Sequence, residues 1–165
     1  MMARFIVAGL VAALVLFGTA DRADAKDTGL VFVSNEKSHT VTVIDPKSYE
    51  IVREIKTSRR PRDMKFNRAH THLYVACGDD DVIDVIDLAT LEVVDSIPTG
   101  PSPEVFQFSP DEKIIYVSNE EDSSLSVIDV DQQIVLEEIA TGAEPEGVVT
   151  SEDGKIAYVT SEVAD

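Results

Sequence analysis

The chain has 165 residues, of which 31 are Asp or Glu and 14 are Lys or Arg, so its formal net charge at pH 7 is −17. This acidic balance argues against nucleic-acid binding, which depends on Lys and Arg to release counterions from phosphate backbones. It favours solubility, or a basic partner protein met through electrostatic steering. Single-stranded nucleic-acid binding is the weakest alternative, since the one basic cluster, Arg59-Arg60-Pro61-Arg62, is short.

The first 25 residues have the layout of a secretory signal peptide. A positive charge at Arg4 precedes an apolar run over residues 5–20, and Ala23-Asp24-Ala25 is a small-x-small cleavage site. An uncleaved anchor is the lesser alternative, because the run is shorter than the roughly 20 residues that span a membrane. We therefore predict that residues 1–25 are removed. The mature chain, residues 26–165, is then exported to a bacterial periplasm and has no membrane attachment.

A repeat of 42 residues organises the mature chain. Val-Ile-Asp recurs at residues 43–45, 85–87 and 127–129. A fixed period near 40 residues, with several short strands in each unit, is the signature of a β-propeller blade. The complete repeats and the partial fourth cover residues 30–72, 73–114, 115–156 and 157–165.

The second repeat shows the strands of one unit. Turn signals such as Gly78-Asp79 and Ser109-Pro110-Asp111 separate its β-rich runs and leave no room for a helix. The prediction is an all-β chain of propeller blades, each with four antiparallel strands, amounting to three blades and the start of a fourth. The predicted strands are residues 73–77, 82–88, 93–97 and 104–108.

One tetrapeptide carries a family resemblance. It reads Phe32-Val33-Ser34-Asn35, Tyr74-Val75-Ala76-Cys77, Tyr116-Val117-Ser118-Asn119 and Tyr158-Val159-Thr160-Ser161 in the four copies. With the Val-Ile-Asp element and a Ser-Pro-Asp-Gly-Lys-like turn, it resembles the YVTN-type β-propeller repeat family over the whole mature chain. The closest resemblance is to secreted propellers associated with pyrroloquinoline-quinone-dependent alcohol catabolism. The chain also resembles, more distantly, the haem-binding propellers of cytochrome-type nitrite reductases. The family geometry implies that the fourth strand of each repeat is the innermost of its blade and lines the central channel.

Three repeats and a partial fourth are too few for a closed ring. Propellers close with roughly four to eight blades, because closure protects the edge strands. Two explanations stay open: the chain is the N-terminal part of a longer protein, or two copies assemble one ring. Self-association through the open blade edges is a further prediction.

The candidate binding residues lie where the fourth strand of each repeat begins. The family geometry places Arg62, Glu104 and Glu146 around one mouth of the channel, and the loops before them vary between repeats. Variation on a repeated scaffold is typical of a binding face, although solvated loop residues would vary too. The predicted channel-mouth residues are Arg59, Arg60, Arg62, Glu104 and Glu146.

Carboxylates cluster in equivalent turns of neighbouring repeats and form a predicted acidic rim. The runs lack EF-hand spacing, so a solvated rim is favoured over a Ca²⁺ site. A further Asp ends the second strand of every repeat, at Asp45, Asp87 and Asp129, where it is predicted to accept hydrogen bonds from turn amides. The rim residues are Asp79, Asp80, Asp81, Glu120, Glu121 and Asp122.

Little in the sequence indicates catalysis or metal binding. His70-x-His72 lacks a third ligand of matching type, and no Ser, His and Asp pattern suggests a triad. Cys77 is the only cysteine, so it cannot form a disulfide within the chain, and it is interpreted as a small half-buried residue at a strand end. We predict no catalytic residue and no metal site.

The preferred functional hypothesis is a non-enzymatic periplasmic binding propeller, accessory to quinoprotein-dependent alcohol oxidation. Its acidic rim would dock a basic partner, such as a quinoprotein dehydrogenase or a cytochrome c. No cofactor of its own is expected, and pyrroloquinoline quinone or haem would be reached only through that partner. The alternative is a cofactor-binding or enzymatic propeller whose site lies in blades absent from this chain.

Overall fold

The computed structural model of the protein describes residues 28–163, so the predicted signal peptide at residues 1–25 lies outside the described residues. None of the described residues forms a helix that could span a membrane. The prediction of an all-β chain is confirmed, since the described residues form strands and no helix. The strands are β1 (Val31–Asn35), β2 (Thr40–Ile44), β3 (Ile51–Lys56), β4 (Pro61–Phe66), β5 (His72–Cys77), β6 (Val82–Asp87), β7 (Glu92–Pro98), β8 (Pro103–Phe108), β9 (Ile114–Asn119), β10 (Ser124–Asp129), β11 (Ile134–Ala140), β12 (Pro145–Thr150) and β13 (Ala157–Ser161).

The strands form four antiparallel sheets, which are the blades of a partial propeller. The first sheet has the order β1-β2-β3, the second β4-β5-β6-β7, the third β8-β9-β10-β11 and the fourth β12-β13. The two middle sheets confirm the predicted blade of four antiparallel strands. The grouping differs from the sequence repeats in one respect, because the fourth strand of each repeat pairs with the first strand of the next repeat. Each hydrogen-bonded blade therefore begins one strand earlier than its repeat.

The first strands of successive blades converge on one axis. Strand β4 lies beside β8, and β8 lies beside β12, whereas β3, β7 and β11 form the outer edges of their sheets. The fourth strand of each repeat is thus an inner strand, as the family geometry implies, but of the following blade.

Two hydrophobic cores fill the spaces between sheets. One lies between the first and second sheets and includes Val41, Val43 and Val75; the other lies between the second and third and includes Ile83 and Phe106. All five of these side chains have 6% or less of their surface exposed. Alternate residues of a strand point to opposite faces, so every middle sheet covers a neighbour on each side.

An aromatic contact recurs at each of these interfaces. The Phe32 ring of the first sheet meets Phe66 of the second edge to face, with centroids 5.6 Å apart. Tyr74 of the second sheet meets Phe108 of the third in the same way at 4.9 Å. Each ring pair is separated by the same number of residues, so one sequence period places the same contact between each pair of sheets.

The turns contain a recurring left-handed backbone conformation that their residue types do not predict. Among residues 28–163, eleven non-glycine residues have positive φ, in sets spaced by the 42-residue period, and Gly154 completes one set with φ 69°. The sets are His39, Asp81 and Ser123; Tyr49, Leu91 and Gln133; Arg60, Ser102 and Glu144; and His70, Glu112 and Gly154.

The Asp residues that end the second strand of each repeat act as predicted. Asp45 accepts a hydrogen bond from the Lys47 amide at 2.8 Å, and Asp129 accepts one from the Gln132 amide at 2.7 Å. Asp87 accepts from two amides of its turn, and these hydrogen bonds lower the pKa of its carboxyl group. The three side chains therefore stabilise the turn between the second and third strands of each repeat.

Substitution of Tyr49 by Gly should stabilise the protein. Tyr49 has φ 61° and is 83% exposed, so Gly removes the steric cost of the left-handed conformation while little side-chain packing is lost. We expect the free energy of unfolding to rise by about 1 kcal/mol, measured by denaturant titration. Tyr49→Ala is the matched control, because it keeps Cβ; a similar gain in that variant would contradict the explanation.

Candidate binding site at the channel mouth

Two sets of residues that the sequence presents separately lie at the same end of the blades. The inner strands begin there, and the turns that carry the acidic rim lie beside them, because Pro61 pairs with Cys77 and Pro103 pairs with Asn119 across the sheets. Channel-mouth residues and rim residues therefore belong to one cluster. Arginines supplied by the second blade lie within a larger group of carboxylates.

Arg60 is the hub of this cluster. Its guanidinium lies 3.7 Å from a carboxylate oxygen of Glu36 in the first blade and 3.7 Å from one of Asp79 in the second. It also lies 3.8 Å from Glu104 and 3.9 Å from Glu120, both in the third blade. The left-handed backbone at Arg60, with φ 60°, positions the side chain toward all three blades.

Arg62 holds the buried member of the carboxylate group. It donates a hydrogen bond from Nη1 to Oε1 of Glu104, and the same Nη1 lies 3.8 Å from Oε2 of Glu120. Glu104 is only 2% exposed, whereas the Glu120 side chain is 34% exposed. A carboxyl group removed from water needs such a partner, since a buried polar group without a hydrogen bond is destabilising.

Burial raises the pKa of Glu104 to about 8. The neighbouring Glu120 and Glu146 carboxylates act in the same direction, while the Arg62 guanidinium opposes them. The pKa of Glu120 is lowered, chiefly because it accepts a hydrogen bond from Glu104. The pair therefore shares one proton at neutral pH, held by Glu104 and directed at Glu120.

Arg59 is paired outside this hub. Its Nε donates to Asp80 at 2.7 Å, and its backbone amide donates to the same carboxylate at 2.6 Å. These contacts raise the pKa of Arg59 and lower that of Asp80. Two predicted residues, one from the channel mouth and one from the rim, thus neutralise each other.

The remaining predicted residues lie at the same end without an arginine. Asp81 accepts a hydrogen bond from the Ser102 amide at 2.9 Å, and Asp122 accepts one from the Ser124 hydroxyl at 2.7 Å. Glu121 is exposed and Glu146 is half-buried, and among residues 28–163 neither has an ion-pair partner. A binding role for the channel-mouth and rim residues stays a prediction.

One residue of the site, Glu36, was missed in the analysis of the sequence. Glu36 occupies the same position in the repeat as Glu120, so the 42-residue period alone would have identified it. Ser102 and Glu144, the equivalents of Arg60, lie in the variable loops that the sequence indicated as part of a binding face. Together with Arg60, Glu120 and Glu121, they line a shallow basin at this end of the molecule.

Comparison with known proteins identifies the family. The family model for YNCE-like β-propellers matches residues 67–155. The chain belongs to this family. No curated protein is significantly similar in sequence. The propeller family supports the coarser part of the sequence-based resemblance, and the association with alcohol catabolism stays a proposal.

Two solved structures resemble this YNCE-like propeller. Kuenenia stuttgartiensis hydrazine synthase is 25% identical with a TM-score of 0.73, over 82% of this chain and 40% of that one. The dihydro-haem d1 dehydrogenase NirN, in complex with DHE, is 21% identical with a TM-score of 0.63, over 76% of this chain and 28% of that one. The chain therefore spans less than half the length of either protein.

Potential reactive groups outside the mouth do not form a second site in the described part. Cys77 is fully buried rather than half-buried, and burial raises the pKa of its thiol, which keeps it protonated. His70 stacks on Phe66, and the His72 ring lies 4.0 Å from Asp87. Among residues 28–163, no three His, Cys, Asp or Glu side chains are grouped to hold a metal ion.

The raised pKa of Glu104 gives a testable pH dependence of stability. Since the folded protein holds this proton more tightly than the unfolded chain, its contribution is complete below the ordinary glutamate pKa and is lost as pH rises through about 8. Between pH 5 and pH 8, which are about the bounds of that window, the free energy of unfolding should fall by up to about 1.4 kcal/mol per pH unit. The pKa of Glu120 is lowered, so the titration of this group affects the stability only below this pH window.

Glu104→Gln is the matched variant for this measurement. The amide imitates the protonated carboxyl group, donating to Glu120 and accepting from Arg62, but it does not titrate. Denaturant titrations of both proteins across the pH window should show that the variant lacks the Glu104 part of the slope. An identical slope in the two proteins would show that Glu104 is ionised in the fold.

Proposed function

We propose that this chain is part of an exported, non-enzymatic propeller whose channel-mouth end docks a basic protein. The observation that carries the proposal is the distribution of charge at that end. The arginines there are paired with Glu36, Asp79, Asp80, Glu104 and Glu120, whereas other carboxylates of the same end have no cationic partner within the described part of the chain.

The unpaired carboxylates lie on the side of the third and fourth blades. Glu121, Asp122 and Glu144 are exposed, and no ion pair within residues 28–163 involves them. Glu121 and Glu144 line the shallow basin at the mouth. Lys and Arg side chains of a partner would find here carboxylates that need not first be released from an ion pair.

The engaged arginines also argue against nucleic acid as the ligand. Arg59 and Arg60 are the residues that would contact phosphates, yet each lies against carboxylates of its own chain. With a net charge of −17, the surface repels a polyanion. The same negative charge attracts a basic protein, which is therefore favoured as the ligand over single-stranded nucleic acid.

The export and the kind of partner rest on the sequence. Residues 1–25 have the layout of a signal peptide, which supports a periplasmic location. The resemblance to propellers of pyrroloquinoline-quinone-dependent alcohol catabolism supports an accessory role, with a quinoprotein dehydrogenase or a cytochrome c as the partner. A redox cofactor would then belong to the partner.

Neutralising the free carboxylates should weaken docking. We expect Glu121→Gln combined with Asp122→Asn to reduce the affinity for a basic cytochrome c about fivefold at low salt, since two exposed charge pairs are lost. Isothermal titration calorimetry over a series of salt concentrations measures both the affinity and its salt dependence, which should be shallower in the variant.

A matched control is available on the outer strand β11. Glu137→Gln combined with Glu138→Gln removes the same charge from exposed residues away from the mouth. If this control weakens binding as much as the mouth variant, the attraction depends on net charge and not on the mouth. If the affinity of the wild type does not change between low and physiological salt concentration, the proposal is contradicted.

A second candidate is a cofactor-binding or enzymatic propeller. It is favoured by the buried Glu104 beside Arg62, which is chemistry of a kind found in active sites, and by the 25% identity to a hydrazine synthase. On this hypothesis the remaining groups lie in blades beyond this chain. The full chain purified from its native host should then show visible absorption from a bound cofactor; a colourless protein favours docking.

A further inference from the structure

We infer that the His39 side chain is a pH-sensitive hydrogen-bond acceptor that fixes the channel-mouth loop, residues 57–60, and releases it when the imidazole is protonated. The loop joins β3 to β4 and carries Arg60, the hub of the charged cluster. The contact lies between the first and second sheets, and the inference does not depend on the docking proposed for the mouth.

Two hydrogen bonds tie this loop to His39. The Thr57 amide donates to the His39 carbonyl oxygen at 3.0 Å, and the Arg60 amide donates to the ring nitrogen Nδ1, also at 3.0 Å. Thr57 and Arg60 are the first and last residues of the loop. One residue, in the turn between β1 and β2, therefore holds both ends of the loop.

Comparison of the repeats separates the constant part of this contact from the variable part. The amide-to-carbonyl hydrogen bond recurs in the second and third repeats at 2.9 Å. The side-chain contact recurs in the second repeat, where Oδ1 of Asp81 accepts from the Ser102 amide at 2.9 Å. In the third repeat the equivalent Ser123 accepts no hydrogen bond from the Glu144 amide among residues 28–163. The backbone of all three is the same, with φ between 56° and 58°, so the residue type alone decides the side-chain contact.

Of these three residue types, only histidine changes its protonation near neutral pH. An imidazole nitrogen accepts a hydrogen bond only while it carries no proton, and both ring nitrogens of a protonated histidine are donors. Histidines in general change charge between about pH 5 and pH 8, whereas an ordinary aspartate, with a pKa of about 3.9, stays an acceptor throughout that range. Protonation of His39 therefore leaves the Arg60 amide facing a donor, and this end of the loop is released.

The protonated ring has another partner nearby. The pKa of Asp80 is lowered chiefly by its hydrogen bonds from Arg59, and the charge of a protonated His39 acts in the same direction, so the two groups are close. The ring can thus exchange the Arg60 amide for electrostatic contact with this carboxylate. The charged residues on the elements around His39 are Glu36 and Lys37 of its own turn, Arg59 and Arg60 of the loop, and Asp79 and Asp80 of the turn between β5 and β6.

Release of the loop would loosen the hub of the mouth. The Arg60 guanidinium lies 3.7 to 3.9 Å from four carboxylates of three blades. These distances are longer than direct hydrogen bonds, so the ion pairs depend on where the backbone holds the side chain. His39 therefore makes the arrangement of charges at the mouth sensitive to mild acid, whereas Asp81 holds the next loop at the same pH.

Nuclear magnetic resonance of the full chain tests the inference at the Arg60 amide. The background is Glu104→Gln, which removes the titration of Glu104 beside Arg60. Between pH 7.5 and pH 5.5, the Arg60 amide signal should shift with the same midpoint as the His39 ring signals. Its protection factor against hydrogen exchange should fall about fivefold, as expected for the loss of one hydrogen bond. The Ser102 amide, held by Asp81, is the internal control and should keep its protection.

Two variants copy the other repeats at this position. His39→Asp should protect the Arg60 amide equally at both pH values, as Asp81 protects Ser102. His39→Ser, which copies Ser123, should show the low protection at both. The inference is overturned if the His39 ring does not titrate in this range, or if it titrates without a response of the Arg60 amide. It is also overturned if either variant keeps the response of the wild type.

Discussion

The packing of one sheet on the next is the interaction on which the rest of this structure depends. A strand alternates its side chains between two faces, and each face of a blade is apolar, so a single blade cannot bury its own hydrophobic surface. The 42-residue period solves this by placing Tyr74 against Phe108 as it places Phe32 against Phe66. Because the contact is the same at each step, successive sheets pack in the same register.

The sequence predicts the strands well because a strand is a local property. Alternating Val and Ile, with Pro, Gly and Asp between the runs, specify where β5 to β8 begin and end to within a residue or two. The grouping of strands into sheets is not local. A period of 42 residues does not indicate which strand is the first of a blade. The hydrogen bonds of β8 with β9 show that a blade starts at the inner strand. The left-handed turn residues escaped prediction because Tyr49 and Leu91, rather than Gly, occupy them.

Buried polar residues show how the repeats diverge without losing the fold. In the first repeat Asn35 donates to Thr42 at 2.8 Å, and in the third Asn119 donates to Ser126 at 2.8 Å. Gly100 is required beside Asn119, since a Cβ there would lie 2.4 Å from the Asn119 side-chain nitrogen.

The group around Cys77 of the second repeat, which includes Ser58 of the first repeat, differs at every member. Cys77 replaces the larger Asn, Ser58 replaces the Gly, and Asp84 replaces the hydroxyl residue; the Asp84 carboxylate accepts from the Ser58 amide at 2.6 Å and from the Ser96 hydroxyl at 2.6 Å. Hydrogen bonding is thus conserved although every member differs. Sequence reasoning recognised Cys77 as the odd member, but it could not connect Ser58 and Asp84 with it, because their contact joins two blades.

At the channel mouth, too, residues from different blades form one group, and here the contacts are between charged side chains. Arg60 reaches carboxylates of three blades, and Arg62 holds the buried Glu104, so the second blade supplies the cations that let acidic turns approach one another. These pairs were not predicted because the loops and turns that carry them are distant in sequence and meet only when the sheets stack. Arg60, Ser102 and Glu144 share one backbone conformation while their side chains differ in charge. The scaffold therefore fixes where these side chains stand and leaves their chemistry free to vary, which is the property a repeated fold needs to acquire a specific partner.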